Sequence, residues 1–314
     1  MMDIVKKLES LGERQGKTAI EAGEYLMAYL KSKKVAFSVE PIETELPTAK
    51  SKLVADGKAV ESMPASFVGG TISGNSAITS SLISSKYLID VPNINFNPKS
   101  ETVSRSNFYF APSVAVRATD ISTIVKAKKV SAEVKVTKKK YGLSQILVGN
   151  AINPKTIIFS HYDSIGPGAL DNASGTAVCL SLACSNPELL QDALFVFDPN
   201  EELSYDYPTY WGGGYRVFEE RYGDLLAQAR SVVVVDCVGN GPVQEIRDPK
   251  ILKLAFPLWN MKAIKGDVVT LGSNIEKLME IYHSDADTSD LIEEKYLEEA
   301  KSIVKKLIKQ TMLK

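Results

Sequence analysis

The chain is poor in imidazole and thiol, with two histidines and three cysteines among its 314 residues. Any site that needs a ring nitrogen must draw on His161 and His283. An odd, small set of cysteines, Cys179, Cys184 and Cys237, offers no disulfide framework and points to reduced thiols in a cytoplasmic protein. Cys179 and Cys184 stand five apart in an apolar stretch, without CxxC spacing or a neighbouring histidine. They read as core packing, not as a metal or redox site. No apolar run approaches the ~18 residues of a membrane-spanning helix. The opening MMDIVKKLESLGERQGK is charged and polar and lacks the apolar core of an export leader, so none is expected. An excess of one charge is also missing. Lys and Arg number 37 against 38 Asp and Glu, a net charge of −1, which leaves no basic field for nucleic acid and no acidic tail for a basic partner. Internal repeats and low-complexity tracts are absent.

What remains is ordinary globular composition, 44% hydrophobic and 24% charged, ample for a sizeable core. At roughly 150 residues per domain, the length suits one large domain or one plus a smaller one. Residues 13–34 predict an amphipathic helix with Ile20, Leu26, Met27 and Leu30 on one face. VAFSVEPIETELP predicts a strand and then a proline-punctuated turn. Between about 55 and 140, Ser, Thr, Asn, Gly and Pro become frequent and helical periodicity fades. Short β-like runs (YLIDV, FYFAPSVAV, AEVKVTKKK) mark a small β-rich insert. Its role is left open between gating a site, mediating assembly and neither. Lys138, Lys139 and Lys140 close the last run as a solvated hairpin edge. From 145 the pattern is α/β. QILVG and TIIFS read as two buried strands joined tightly through NPK, and ALFVF and SVVVV as two more. DNASGTAVCLSLAC, GYRVFEERYGDLLAQA and the long LIEEKYLEEAKSIVKKLIKQTML read as helices. Short, continuously apolar, β-branched runs alternating with helices imply a central, mixed but mostly parallel sheet covered on both faces.

Three of these strands run into acidic or imidazole residues. TIIFS leads to His161 and Asp163, ALFVF to Asp198, Glu201 and Glu202, and SVVVV to Asp236. In open α/β sheets ligands bind at the carboxyl ends of the strands. Isolated carboxylates buried there would each cost several kcal/mol or be forced neutral; a multivalent cation resolves that cost. Taken singly, each residue has a plain structural reading: His161 a core histidine, Asp171 a helix cap, Glu201 and Glu202 a solvated pair, Asp236 a turn, His283 a surface residue. Jointly, two His with Asp and Glu suit zinc. Adjacent glutamates suit a division between metal ligand and proton carrier. Asp163, two after His161, is placed to accept that ring's other N–H and fix its tautomer.

HYDSIGPGALDNASG (161–175), FDPNEE (197–202), VVVVDCVG (232–239) and YHSDADTSD (282–290) resemble, in order, the di-zinc aminopeptidase family, metallopeptidase family twenty-eight. That family also holds glutamate carboxypeptidases, glutaminyl cyclases and the transferrin-receptor ectodomain. The resemblance covers roughly residues 145–310. It implies a zinc-exopeptidase fold, with 1–54 and 141–314 as the catalytic domain and 55–140 as a β-rich insert akin to a reduced protease-associated subdomain. One metal would be held by His161, Asp171 and Asp236, the second by Asp171, Glu202 and His283, with Asp171 bridging. Glu201 would be the general acid/base and Asp163 the support of His161. The implied cofactors are two Zn2+ ions, with Co2+ or Mn2+ as alternatives. The implied activity is removal of N-terminal residues from peptide or aminoacyl substrates by a metal-bridged water. Nucleic-acid and membrane partners are not expected, and a homo-oligomer is left open. The family usually has a glycine and a short helix soon after its Glu pair; here LSYDYPTYWGGGY (203–215) intervenes. Its Tyr205, Tyr207, Tyr210 and Trp211 either line a substrate pocket or pack a loop onto the sheet edge. Two other readings stand beside the aminopeptidase: a single-zinc acyl-transfer enzyme of glutaminyl-cyclase type, and a non-catalytic binding protein on the same fold.

Overall fold

A computed structural model describes residues 1–74, 78–82 and 88–312. The chain forms two compact units. The first comprises Met1–Thr44, Tyr141–Ile275 and Thr288–Lys314, the second Glu45–Lys140 and Glu276–Asp287. Two long strands, Ser38–Ala55 and Val130–Gly149, have an end in each.

In the first unit the sheet runs, in spatial order, Gln244–Ile246, Asp267–Gly272, Ser231–Val235, Thr156–His161, Ala193–Asp198, Val130–Gly149 and Ser38–Ala55. The four strands from Asp267 to Asp198 are mutually parallel, and antiparallel strands flank them. The sheet is therefore mixed with a parallel centre, as the strand pattern implies. QILVG and TIIFS are not neighbours: Ala193–Asp198 lies between them, parallel to Thr156–His161 and antiparallel to Val130–Gly149. The apolar runs are buried on both faces because helices cover both. On one, the helix Gly213–Gln228 packs Tyr215 and Phe218 against Ile157, Phe159, Val232 and Val234. Phe159 lies with its ring centroid 5.5, 5.0 and 4.8 Å from Tyr215, Phe218 and Phe256. On the other face lie the helices Gly175–Ser185 and Glu294–Met312. Full burial of each such Val, Ile or Phe is worth about 1.5–3 kcal/mol, which makes this centre a stiff platform for whatever its strand ends carry.

Several sequence expectations shift. The first long helix is Lys17–Ser32, and it buries Ala19, Ala22, Gly23, Leu26 and Leu30 while Ile20 faces outward. Its small residues allow the close approach: a Cβ on Gly23 would stand 2.7 Å from the Tyr162 hydroxyl. A further helix, Met2–Glu9, buries Ile4, Val5 and Leu8. The strand beginning at Ser38 passes through Pro41 and Pro47 without a turn. Among the described residues its outer flank is paired only at Leu53–Ala55, and on an unpaired edge the missing proline N–H costs nothing.

In the second unit, Met63–Pro64, Ser113–Val116, Asn93–Phe96 and Ile78–Ser80 form a four-stranded sheet in that order. Gly70–Ser73 pairs antiparallel with residues 131–134. Its core holds Leu53, Ile72, Ile94, Val114, Val116 and Val134. Of FYFAPSVAV only Ser113–Val116 is strand. Phe108 and Phe110 instead pack on Phe67, with centroids 5.8 and 4.6 Å away. YLIDV is not a strand: 88–90 form a turn, and Tyr87 lies outside the described residues.

Candidate active site

Parallel register sets the site. Asp198 pairs across with His161, and Val234 with Phe159, so the strand ends carrying His161, Asp198 and Asp236 finish at one edge. A ring nitrogen of His161 and carboxylate oxygens of Asp171 and Asp236 lie within 4.8 Å of one another, and so do ligand atoms of His161, Glu201 and Glu202. His161 Nε2 is 3.4 Å from an oxygen of both Asp171 and Asp236, and its Nδ1 is 3.4 Å from Asp163 Oδ1. His161, Asp163, Asp171, Glu201 and Glu202 are all buried, and Asp236 is mostly so.

Three ties hold these groups. First, Asp163 has a wider part than supporting His161. Its Oδ1 accepts the Glu201 N–H and its Oδ2 the Glu202 N–H, both at 3.0 Å, which sets the backbone of the glutamate pair. Second, the Asn172 amide donates to the Val235 carbonyl (2.9 Å), and its oxygen accepts the N–H groups of Gly175 (2.9 Å) and Cys237 (3.3 Å). This side chain links the turn carrying Asp171 to the strand end carrying Asp236. Third, Arg14 is fully buried. Its guanidinium donates to the carbonyls of Tyr162 (2.6 Å), Pro167 (2.5 Å) and Gly168 (2.9 Å), clasping the loop between His161 and Asp171. Neither Arg14 nor Asn172 carries a role in the sequence reading. Asn172 is visible inside DNASG, whereas Arg14 lies some 150 residues away in sequence and gives no local cue.

Asp198 ends its strand inside the same edge. Burial pushes its carboxyl up to about 7, against the pull of the Asn200 N–H and the Gln145 amide. It receives bonds from Asn200 (2.8 Å) and Gln145 (2.7 Å) and so opens the turn that delivers Glu201.

Of the aromatic segment, Tyr210 is buried with its ring 5.2 Å from Trp211, and Tyr207 is exposed. Trp211 donates to the Leu254 carbonyl at 2.9 Å, and Tyr205 is half-buried. His283 lies in the second unit, buried, with Nδ1 3.2 Å from the Arg105 carbonyl.

The donor set, imidazole nitrogen with carboxylate oxygens, fits zinc. So does the charge: the buried carboxylates outnumber the imidazole, and the Arg14 guanidinium is taken up by carbonyls. Burial alone would lower the His161 pKa, but Asp163, Asp171 and Asp236 hold it well above the ordinary value. Burial raises Glu201 well above its usual range, with Glu202, Asp163 and Asp236 adding to the rise against the opposing pull of His161. His161 therefore favours its protonated form in the metal-free protein. Since a ligating imidazole must be deprotonated, zinc uptake should release at least one proton per chain. Zinc affinity should then rise about tenfold per pH unit for each proton released. Calorimetry in buffers of different ionisation enthalpy measures this, and uptake with no net proton release would contradict the arrangement.

Gly175 offers a second check. It sits at the start of a helix in ordinary right-handed geometry, where alanine normally stabilises by roughly 1 kcal/mol. Here a Cβ would stand 2.3 Å from the Val235 carbonyl oxygen and 2.4 Å from Asn172 Oδ1. Gly175→Ala should instead destabilise by about 1–3 kcal/mol and weaken zinc binding, because it pushes on the tie between Asp171 and Asp236. Denaturant unfolding showing a gain in stability would refute the tie.

Residues 145–244 match the family model for Peptidase family M28. No curated protein matches the chain. Among solved structures, a zinc aminopeptidase from Bacillus subtilis is 16% identical, with 96% of this chain and 92% of that one covered at a TM-score of 0.69. An aminopeptidase from Aneurinibacillus sp. strain AM-1 is 18% identical, with coverages of 96% and 91% and a TM-score of 0.59. A glutaminyl cyclase from Porphyromonas gingivalis is 12% identical, with coverages of 98% and 96% and a TM-score of 0.54. At these identities the likeness is one of fold. The chain has the fold of the zinc-exopeptidase type. The resemblance read from its motifs holds: the stretch from Gln145 to Gln244, which carries His161, Asp171, Glu201, Glu202 and Asp236, is matched by Peptidase family M28. No helix among the described residues is long and apolar enough to cross a membrane.

Proposed function

We propose that the protein is a zinc-dependent aminopeptidase that hydrolyses the N-terminal bond of peptide or aminoacyl substrates in the cytoplasm. The observation that carries this reading is the buried meeting of His161, Asp171 and Asp236 with the Glu201–Glu202 pair at the carboxyl edge of the parallel strands. His161, Asp171 and Asp236 would hold one ion. By the motif resemblance, Asp171, Glu202 and His283 would hold the second. Bound zinc would polarise the scissile carbonyl and lower the pKa of the attacking water. Glu201 takes the proton of that water and returns it to the leaving amine. Its burial suits the task, because a carboxyl raised toward the working pH can both accept and give a proton. Asp163 keeps the carboxylate pair in place through the two backbone bonds, and Asn172 and Arg14 keep Asp171 in place. Tyr205, Tyr207, Tyr210 and Trp211 are proposed to shape the entrance for apolar side chains.

Glutaminyl cyclisation with one zinc is the second reading, favoured by the likeness of the P. gingivalis cyclase fold. The deciding experiment measures metal per chain after dialysis against zinc. Alongside it, aminoacyl amides are tested for hydrolysis and an N-terminal glutaminyl peptide for ring closure. Two zinc ions with chelator-sensitive release of the N-terminal residue is the expected result. One zinc with cyclisation replaces the proposal by the second reading. Absence of metal makes the chain a binding protein on this fold.

A further inference from the structure

Within the second unit, the segment Glu276–Asp287 is tied to the β-rich stretch by bonds that converge on His283. The Arg105 N–H donates to the His283 carbonyl (2.9 Å), and Ser104 bridges to Ser284 in antiparallel fashion. The Ser104 hydroxyl donates to the Tyr282 carbonyl (2.6 Å), and the Asn97 amide to the Met279 carbonyl (2.7 Å) and to the Ser104 oxygen (3.2 Å). Asn97 and Ser104 are almost wholly buried. The Tyr282 ring stacks on the imidazole with centroids 3.7 Å apart. His283 itself is left-handed, at φ +52°, a conformation a non-glycine residue keeps only when its surroundings over-determine it.

A buried polar cluster of this kind is not a cheap way to fill a core, because every member must stay satisfied. It rigidifies one object, the short stretch from Met279 to Ser284. Its last effect falls on the ring: Nδ1 faces the Arg105 carbonyl at 3.2 Å. A carbonyl can only accept, so Nδ1 must carry the proton, and in the neutral ring Nε2 then carries the lone pair. An N–H···O=C bond from the non-ligating nitrogen is how metal-binding histidines are oriented and made more basic.

We propose that the β-rich insert fixes the tautomer and orientation of His283, with Asn97 and Ser104 as the positioning residues. This inference rests on the reading of His283 as a zinc ligand. It assigns the insert a chemical task in place of gating or assembly.

The test uses the full chain and measures zinc by competition with a chromophoric chelator. In Asn97→Ala and in Ser104→Ala, one zinc should keep its parental affinity and the other should weaken about 10–100-fold. Ser104→Thr, which keeps the hydroxyl, should restore it. His283→Ala should lose that zinc, and adding Asn97→Ala to it should change nothing more. Because the chain has two histidines, ring-nitrogen NMR of the zinc-free protein resolves both. It should report a protonated Nδ1 at His283 in the parent and a mixed tautomer in Ser104→Ala, a readout that keeps the proposal testable if Asn97→Ala fails to fold. Parental binding of both zinc ions by His283→Ala would remove the ligand reading beneath the proposal. Loss of one zinc in His283→Ala, with parental affinity and tautomer in the Asn97 and Ser104 variants, would overturn the positioning role and leave the ligand reading standing.

Discussion

Glu201→Gln should lower kcat by about 10²–10⁴-fold, the usual worth of a general acid/base, with zinc content and KM near those of the parent. The substitution is nearly isosteric, so the backbone bond from residue 201 to Asp163, 3.0 Å in the parent, is undisturbed. It costs the fold little, because burial already raises the Glu201 carboxyl well above its ordinary pKa, so the ionised form is disfavoured there and an uncharged amide suits the same surroundings. What it removes is the capacity to take a proton. The geometry leaves a competing role, since His161, Glu201 and Glu202 also bring ligand atoms within 4.8 Å of one another. The two roles separate cleanly. A proton carrier loses turnover and keeps metal, whereas a ligand loses metal. Steady-state kinetics with elemental analysis of the same sample decides. Unchanged kcat would end the assignment, and a lost zinc would transfer Glu201 to the ligand set.

The parts of this molecule that can be read from sequence are those whose cause is local. Ile157–Phe159, Leu194–Phe197 and Val232–Val235 are buried on both faces, so their composition alone marks them as central strands, and the polar residues that follow are then placed at a sheet edge. Pairing is not local. Nothing in QILVG or TIIFS tells that Ala193–Asp198 will insert between them. Nor do Pro41 and Pro47 announce an edge strand, since the same residues serve a turn equally well. The aims of the site's groups follow the same division. His161, Asp171, Glu201, Glu202 and Asp236 stand next to recognisable elements. Their supports act across long separations: Arg14 on the loop 162–168, and Asn172 on Val235. The second unit takes this further, because residues 276–287 join the stretch 45–140 in space, and a boundary drawn along the chain cannot express that. The helix Met2–Glu9 leaves no mark in the sequence for a simpler reason. Eight residues carry too few turns for periodicity to stand out from a charged terminus.

Asp171→Asn should abolish binding of at least one zinc and with it nearly all activity, while leaving the metal-free protein as stable as the parent or more so. The first half follows from its proposed place in both ion sites. Losing a direct ligand should exceed the ~10–100-fold cost typical of outer supports. The second half follows from charge. In the metal-free site His161 Nε2 is shared at 3.4 Å between Asp171 and Asp236, with Asp163 at 3.4 Å from Nδ1. Glu202 is buried in the same site. One imidazolium cannot neutralise so many carboxylates, and each uncompensated buried charge opposes folding. Replacing one by an amide relieves that repulsion. Zinc normally provides the relief instead: a ligand at 100 times its Kd adds about 2.7 kcal/mol to stability, so the parent should melt higher with zinc than after chelation. Asp171→Asn should show at most a small part of that increase, starting from an equal or higher metal-free midpoint. Thermal melts of both proteins, with and without chelator, read the whole pattern. A full zinc-dependent rise in Asp171→Asn would remove Asp171 from the ligand set. A lower metal-free midpoint would show that its carboxylate holds the fold together in its own right, as the partner of His161 rather than as a group waiting for metal.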